Sequence, residues 1–432
     1  MSQLQGLIGI IVLLSLAALL SENRRRFPWR LALSGIALQF VIGVLALKTP
    51  IVVQVVDLIA RLVNGVILRA DVGIAFVFGE TLVSNQSPIG FVFAVRVLPV
   101  IIFFASLMAV LYHLGVMQRI IAALAWLLRK TLGVTGAEAM VMASNVFVGQ
   151  TEAPLCVRPY LDRLTRAQFM TLMVGGFATI AGSVLAAYVG ILGGLGPEFE
   201  EGRVLFIKHL LTASVMSAPA AFVMARIIVP ETETPMDEAV HADDDERRAS
   251  NLLDAAAGGA TEGLHLCLNV AAMLIAFVSL VALINWPLGA LSEVDSVRAL
   301  LDSLGVERLS LQSIFGLALT PLAWTMGIAW SDCGVFATLL GEKLVVTEFI
   351  AYSSLGDALN APGGPTISMR SGQIAAYALC GFANFASIGI QIGGLTVLAP
   401  NRRKLIVSLA VKAMLGGALA SWMTASVAGL LI

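Results

Sequence analysis

Eight windows of roughly twenty apolar residues decide the solvent in which this chain can fold. They cover approximately 4–21, 30–48, 90–113, 167–193, 204–229, 263–287, 370–398 and 405–431. At a rise of about 1.5 Å per residue each can cross the ~30 Å hydrocarbon core of a bilayer. With 58% hydrophobic and 13% charged residues, too little polar surface remains to wrap soluble domains. Helices satisfy their own backbone hydrogen bonds in lipid, so the fold class is an all-α polytopic membrane protein. A net charge of −1 leaves no basic face for nucleic acid, and none is expected as a partner. Cys156, Cys267, Cys333 and Cys380 sit singly in apolar runs and read as small buried hydrophobes.

Charge placement sets the topology. The run from Gly6 to Leu20 reaches Arg24-Arg25-Arg26 without a small-residue cleavage site, and reads as the first membrane helix. That cluster with Arg30, and Arg402-Arg403-Lys404 before the last helix, place both loops in the cytoplasm and both termini outside. Between Ile51 and Leu68 the polar residues Gln54, Asp57, Arg61 and Asn64 recur at three and four, the stripe of a helix lying in the interface. Asp57 and Arg61 can pair along it. The polar stretch 230–251 has too little apolar content to fold alone and reads as a cytoplasmic linker. The expected units are 1–113, the N-terminal helices, interfacial helix and scaffold; 114–229, a first transport repeat; 230–262, the linker; and 263–432, the second half.

Two stretches are apolar but too interrupted to cross. Gly136 to Tyr160 is broken at Gly149-Gln150-Thr151-Glu152 and Pro154, and each arm of about ten residues reaches ~15 Å, half the bilayer. Phe315 to Leu340 is broken at Pro321, Gly327 and Trp330-Ser331-Asp332-Cys333-Gly334. Both read as re-entrant hairpins, and paired broken segments in two halves point to an inverted-repeat transporter. A carboxylate at bilayer depth costs several kcal/mol, roughly 2.5–3.5 on insertion scales, unless it faces a cavity, partner or substrate. Glu152 and Glu348, each beside a threonine in a broken element, are therefore site candidates. Further polar groups fall at Gly175 to Ser183, with Thr179, and at Gly381 to Ser387, with Asn384. Carboxylates accept paired bonds from vicinal hydroxyls and amides both donate and accept, which suits a neutral, hydroxyl-rich solute. Arg96 and Lys412 read as snorkelling or packing residues, His113 and His265 as interfacial, and Asp332 as structural or gating.

The strings Asn145-Val-Phe-Val-Gly-Gln-Thr-Glu-Ala-Pro-Leu, Pro321-Leu-Ala-Trp-Thr-Met-Gly-Ile-Ala-Trp-Ser-Asp-Cys, Glu348-Phe-Ile-Ala-Tyr and Cys380-Gly-Phe-Ala-Asn-Phe-Ala-Ser-Ile-Gly-Ile-Gln-Ile-Gly-Gly-Leu resemble the concentrative nucleoside transporter family. The resemblance implies a homotrimer of the shorter prokaryotic form in the inner membrane, each protomer with eight transmembrane helices, two re-entrant hairpins and an interfacial helix. It implies that Gln150, Thr151 and Glu152 meet the nucleobase, that Glu348, Asn384 and Ser387 bind the ribose, and that Phe382 and Val184 are apolar walls. A coupling sodium is implied on the Asn145 side chain, the carbonyls of Val148 and Ile180, and Thr179. Such oxygens suit a hard cation.

The function expected is sodium-coupled symport of nucleosides into the cell. Some members of the family use protons, so a proton-coupled symporter is the alternative. An enzyme using the two carboxylates as acid and base is the alternative of another class. It lacks a nucleophile, a metal set or a phosphate clamp, so no enzyme activity is expected.

Overall fold

The structure, a computed structural model, describes residues 2–83, 92–193, 200–235, 249–303, 306, 308–360 and 366–432. Among them are helices and turns and no strand. The chain begins with α1 (Ser2–Leu19), α2 (Trp29–Lys48), α3 (Pro50–Phe78) and two single turns, α4 (Glu80–Val83) and α5 (Phe93–Arg96). Next come α6 (Leu98–His113), α7 (Val116–Leu132), α8 (Gly136–Asn145), a 3-10 arm (Ala153–Arg163), α9 (Arg166–Ala178), α10 (Gly182–Leu192) and α11 (Glu200–Ile228). The remainder is α12 (Leu252–Leu291), α13 (Asp295–Ser303), α14 (Leu311–Thr325), α15 (Trp330–Val345), α16 (Glu348–Leu359), α17 (Met369–Leu379), α18 (Phe385–Leu398) and α19 (Arg403–Leu431). Among the described residues, seven helical stretches are long and apolar enough to cross a membrane, with α1 and α18 as shorter apolar helices.

The two halves repeat one order of elements. A long helix (α6 or α12), a connecting helix (α7 or α14), two short arms, a helix broken in the middle and a final long helix occur in each. The repeats interlock, with α6 on α12, α11 on α19, α9 on α19 and α17 on α11. In each, the first arm's start is tied to the start of the broken helix. Gln168 Nε2 donates to Thr135 Oγ1 at 3.1 Å in one, and the Ser368 hydroxyl donates to Asp332 at 2.6 Å in the other. Asp332 is thus a structural tie.

Glu22, in the loop after α1, accepts from Arg166 at 2.7 Å and from Lys412 at 2.9 Å, and its N–H reaches the Ile228 carbonyl at 2.9 Å. These contacts bring the first basic loop, the start of α9 and the start of the linker to one end of the molecule. Lys412 has this ion pair rather than a snorkelling role. Arg96 ends the short α5 and lies in the field of Asp71, not inside a continuous helix.

Four elements differ from the sequence expectation. The second pair of arms is α15 and α16, turning at Val346-Thr347, whereas Pro321 lies within α14 and Gly327 (φ +91°) turns α14 into α15. Pro and Gly gave the stronger turn signal, but α15 pairs with elements on both sides. The helix expected over 51–68 continues to Phe78, ending at Gly79 (φ +87°), and is long and apolar enough to cross. Its polar stripe faces α11: Asp57 pairs with Lys208 at 2.8 Å, Arg61 with Glu200 at 3.6 Å, and Asn64 accepts from Arg203 at 2.9 Å. These partners replace the expected Asp57–Arg61 pair. α7 carries no continuous apolar run because it is amphipathic, burying Met117, Ile121, Ala125, Leu128 and Leu132. α12 starts at Leu252, inside the expected 230–262 linker, because Asn251 caps it by accepting from the N–H groups of Leu253 and Asp254. The linker's acidic run Asp243-Asp244-Asp245-Glu246 lies outside the described residues.

Candidate functional site

The first tip begins where α8 ends at Asn145 and closes where Pro154 opens the 3-10 arm, a position at which a missing N–H costs nothing. It is fastened on several sides. The Phe147 carbonyl accepts from Gly182 N at 2.8 Å, the Val146 carbonyl from Ser214 at 3.1 Å, and Gln150 Oε1 from Gln391 Nε2 at 3.4 Å. Gln391 also donates to the Met173 carbonyl at 3.0 Å. The approach requires glycines, since a Cβ on Gly176 would lie 2.8 Å from both Gln150 and Gln391, and one on Gly394 would lie 2.8 Å from Thr151. Thr151 donates to Glu152 at 3.1 Å, and the Glu152 carboxylate folds over Gly149. Gln150 is buried, while Glu152 is exposed.

Glu348 starts α16 and is 3% exposed. Its two oxygens have separate donors: the Tyr188 hydroxyl at 2.8 Å and Asn384 Nδ2 at 2.8 Å. Asn384 is oriented by its other end, where Oδ1 accepts from Ser387 N at 2.7 Å and caps α18. Tyr188 is oriented by stacking on Tyr352 at 4.4 Å and an edge contact with Phe349 at 4.9 Å. Val184, one turn before Tyr188, and Ser387 are buried, and Phe382 is half-buried. The breaks in the two long helices touch: Gly381 (φ +108°) lies against Phe177 and Ala178, where a Cβ would sit 2.5 Å from the Phe177 carbonyl.

Helix α18 therefore connects the two polar groups, with Asn384 on Glu348 at its start and Gln391 on Gln150 two turns later. Seven residues at 1.5 Å per residue separate these contacts by roughly 10 Å. The carboxylates of Glu152 and Glu348 share no hydrogen bond, and they differ in exposure.

A cation site can be tested on orphaned atoms. Both polar atoms of Asn145 are buried without a partner, and Nδ2 lies 3.1 Å from where Gly175 would carry a Cβ. Thr179 Oγ1 donates to the Gly175 carbonyl at 3.0 Å and keeps its lone pairs. Val148, Thr179 and Ile180 lie in non-helical backbone, and the C-terminal ends of α8 and α9, which carry partial negative charge, meet there. Neutral oxygens at two helix C-termini suit a monovalent hard cation. No group of three or more His, Cys, Asp or Glu able to hold a metal occurs among the described residues. Thr347 Oγ1 and Gln391 Oε1 are also buried without partners, and such orphans beside a polar site invite a ligand.

Tyr188, Gln391 and Lys343 join this region without having been singled out in the sequence. Tyr188 follows Val184 by four residues in an apolar run, and a buried hydroxyl needs a partner. Gln391 follows Asn384 by seven, the same helix face.

Residues 209–429 match the family described as Na+ dependent nucleoside transporter C-terminus, 8–81 its N-terminus and 94–195 a nucleoside recognition gate. An uncharacterized transporter of Haemophilus influenzae is 43% identical over 100% of this chain and 98% of its own length. Mouse solute carrier family 28 member 3 is 41% identical over 98% of this chain, which spans 58% of the mouse protein's length. The solved structure of CNTnw in an inward-facing substrate-bound state shares 38% identity at a TM-score of 0.87, over 100% of this chain and 98% of that one. An outward-facing variant of CNTnw matches at the same TM-score, 0.87.

Proposed function

Because the chain belongs to the Na+-dependent, concentrative nucleoside transporter family, whose members are transporters rather than enzymes, we propose that it is a sodium-coupled symporter carrying nucleosides into the cell. The observation that carries this reading is the buried Glu348 carboxylate, held from two repeats by Tyr188 and Asn384, roughly 10 Å along α18 from the Gln150 amide. Glu348, Asn384 and Ser387 bind the ribose hydroxyls, and Gln150, Thr151 and Glu152 meet the base, with Val184 and Phe382 as walls. The ~10 Å span gives each end of one small solute its own polar group.

Sodium binds at Asn145, Val148, Thr179 and Ile180. Its ligands and the base-binding residues share one tip, so an ion that orders the tip completes the base pocket. A nucleoside that prefers the ordered tip then raises sodium affinity by the same factor that sodium raises its own. The family's sodium dependence supports this ion, and the proton alternative is not retained.

In the membrane, the pairs α8 with the 3-10 arm and α15 with α16 are re-entrant hairpins, since their arms of ten to sixteen residues are short for a full crossing. The end carrying the basic loops faces the cytoplasm of the inner membrane, and both termini face outside. Apolar residues of α3 and α12 left exposed on one chain, such as Leu62, Val72, Ile275 and Leu283, are covered by lipid and by the neighbours in a homotrimer. The test is radiolabelled uridine uptake into proteoliposomes. Accumulation driven by an inward sodium gradient supports the reading, and uptake indifferent to sodium refutes it.

A further inference from the structure

Lys343 is fully buried, in the last turn of α15. All three ammonium hydrogens have acceptors: the Ala378 carbonyl at 2.9 Å, the Cys380 carbonyl at 3.2 Å and Ser421 Oγ at 2.8 Å. The first two belong to the end and break of α17, so the C-terminal ends of two short helices meet on this charge. A cation there offsets the partial negative charge of both ends and satisfies carbonyls that the break leaves without a helical partner. Glu348, at the start of the next arm, lies within its electrostatic field.

The first repeat has the same arrangement with one part missing. The ends of α8 and α9 meet beside non-helical backbone, yet the side chain there is the amide of Asn145, with both atoms unpartnered. We infer that Lys343 is a tethered cation, standing in the second repeat where the coupling sodium stands in the first, and that it limits the protein to one sodium per nucleoside. This rests on the sodium reading of the first repeat. Removing the ammonium while keeping its acceptors uncovers a second monovalent-cation site built from two carbonyls and a hydroxyl, with Glu348 nearby.

The experiment compares wild type with Lys343→Met, which keeps length but donates nothing, in proteoliposomes with choline replacing sodium at constant ionic strength. Wild type gives a Hill coefficient for sodium of about one and a ²²Na-to-uridine flux ratio of about one, and the variant moves both towards about two. In detergent, replacing choline chloride by sodium chloride raises the variant's melting temperature by more than it raises that of wild type, since a second ion bound by the native state adds its own stabilisation. Ser421→Ala, which retains the ammonium, keeps the wild-type ratio. A folded Lys343→Met protein with the wild-type sodium curve and ratio overturns the inference and leaves the first-repeat site standing. Wild-type uptake without sodium dependence removes that site itself. A variant that folds at no sodium concentration also overturns the inference, because an external ion then cannot replace the ammonium.

Discussion

Glu348→Gln is the substitution whose effect can be worked most fully from the geometry. The amide can keep its oxygen as acceptor for Asn384 Nδ2 and donate its NH2 group to the Tyr188 hydroxyl, which then acts as acceptor. Both 2.8 Å contacts survive, and the negative charge is what is lost. Asn384 therefore keeps its Oδ1 on Ser387 N, and α18 stays capped. Each ribose hydroxyl that loses its charged acceptor costs about 1.5–3 kcal/mol of affinity, a loss of roughly 10-fold to 150-fold. Calorimetric binding of uridine, cytidine, adenosine and inosine should show one common factor within that range. A 2′,3′-dideoxynucleoside should lose far less, and thermal unfolding without ligand should change little, since both protein contacts survive. Unchanged affinities, or a loss confined to purines or to pyrimidines, refute the assignment of Glu348 to the sugar.

Other consequences are equally direct. Gln150→Ala removes the amide that Gln391 contacts, and should reorder affinities among bases in a competition panel while leaving the ribose-dependent part unchanged. Asn145→Ala deletes two atoms that have no protein partner, so it should leave the melting temperature in choline nearly unchanged while raising half-saturating sodium by roughly tenfold, the worth of about 1.4 kcal/mol. Glu22, outside the membrane-spanning segments, has its carboxyl lowered to about 2, chiefly by its hydrogen bond from Arg166 and further by Lys412. Its folded-state value lies below the ordinary 4.5, so its stabilisation is complete above that pH and is lost as pH falls from there towards about 2. A series of melting temperatures should therefore show Glu22→Gln destabilised at pH 7 and converging on wild type in acid.

The membrane architecture was legible because lipid leaves few options, and both helix breaks fall within the polar interruptions around Thr179 and Asn384. Glu348 was legible for the same reason, being a carboxylate in an apolar stretch. The second tip was not, because Val346-Thr347 carries neither the Gly nor the Pro that marks Gly149 and Pro154, while Pro321 and Gly327 offered a stronger signal nearby. Tyr188 and Lys343 owe their roles to partners 160 and 35 residues away, a relation that only the packed repeats create. The pairing of Asp57 with Lys208 and of Asn64 with Arg203 was hidden likewise, since a polar stripe announces a polar neighbour without saying whether it is water or another helix.

In the proposed binding mode one nucleoside spans the two repeats, sugar on Glu348 and base beside Gln150. A structure with uridine and sodium bound tests it most directly. The ribose hydroxyls should lie within hydrogen-bond distance of Glu348 and Asn384, the base edge at the first tip, and an ion against Asn145. Nucleoside density that avoids Glu348, or that lies in the reverse orientation, contradicts it.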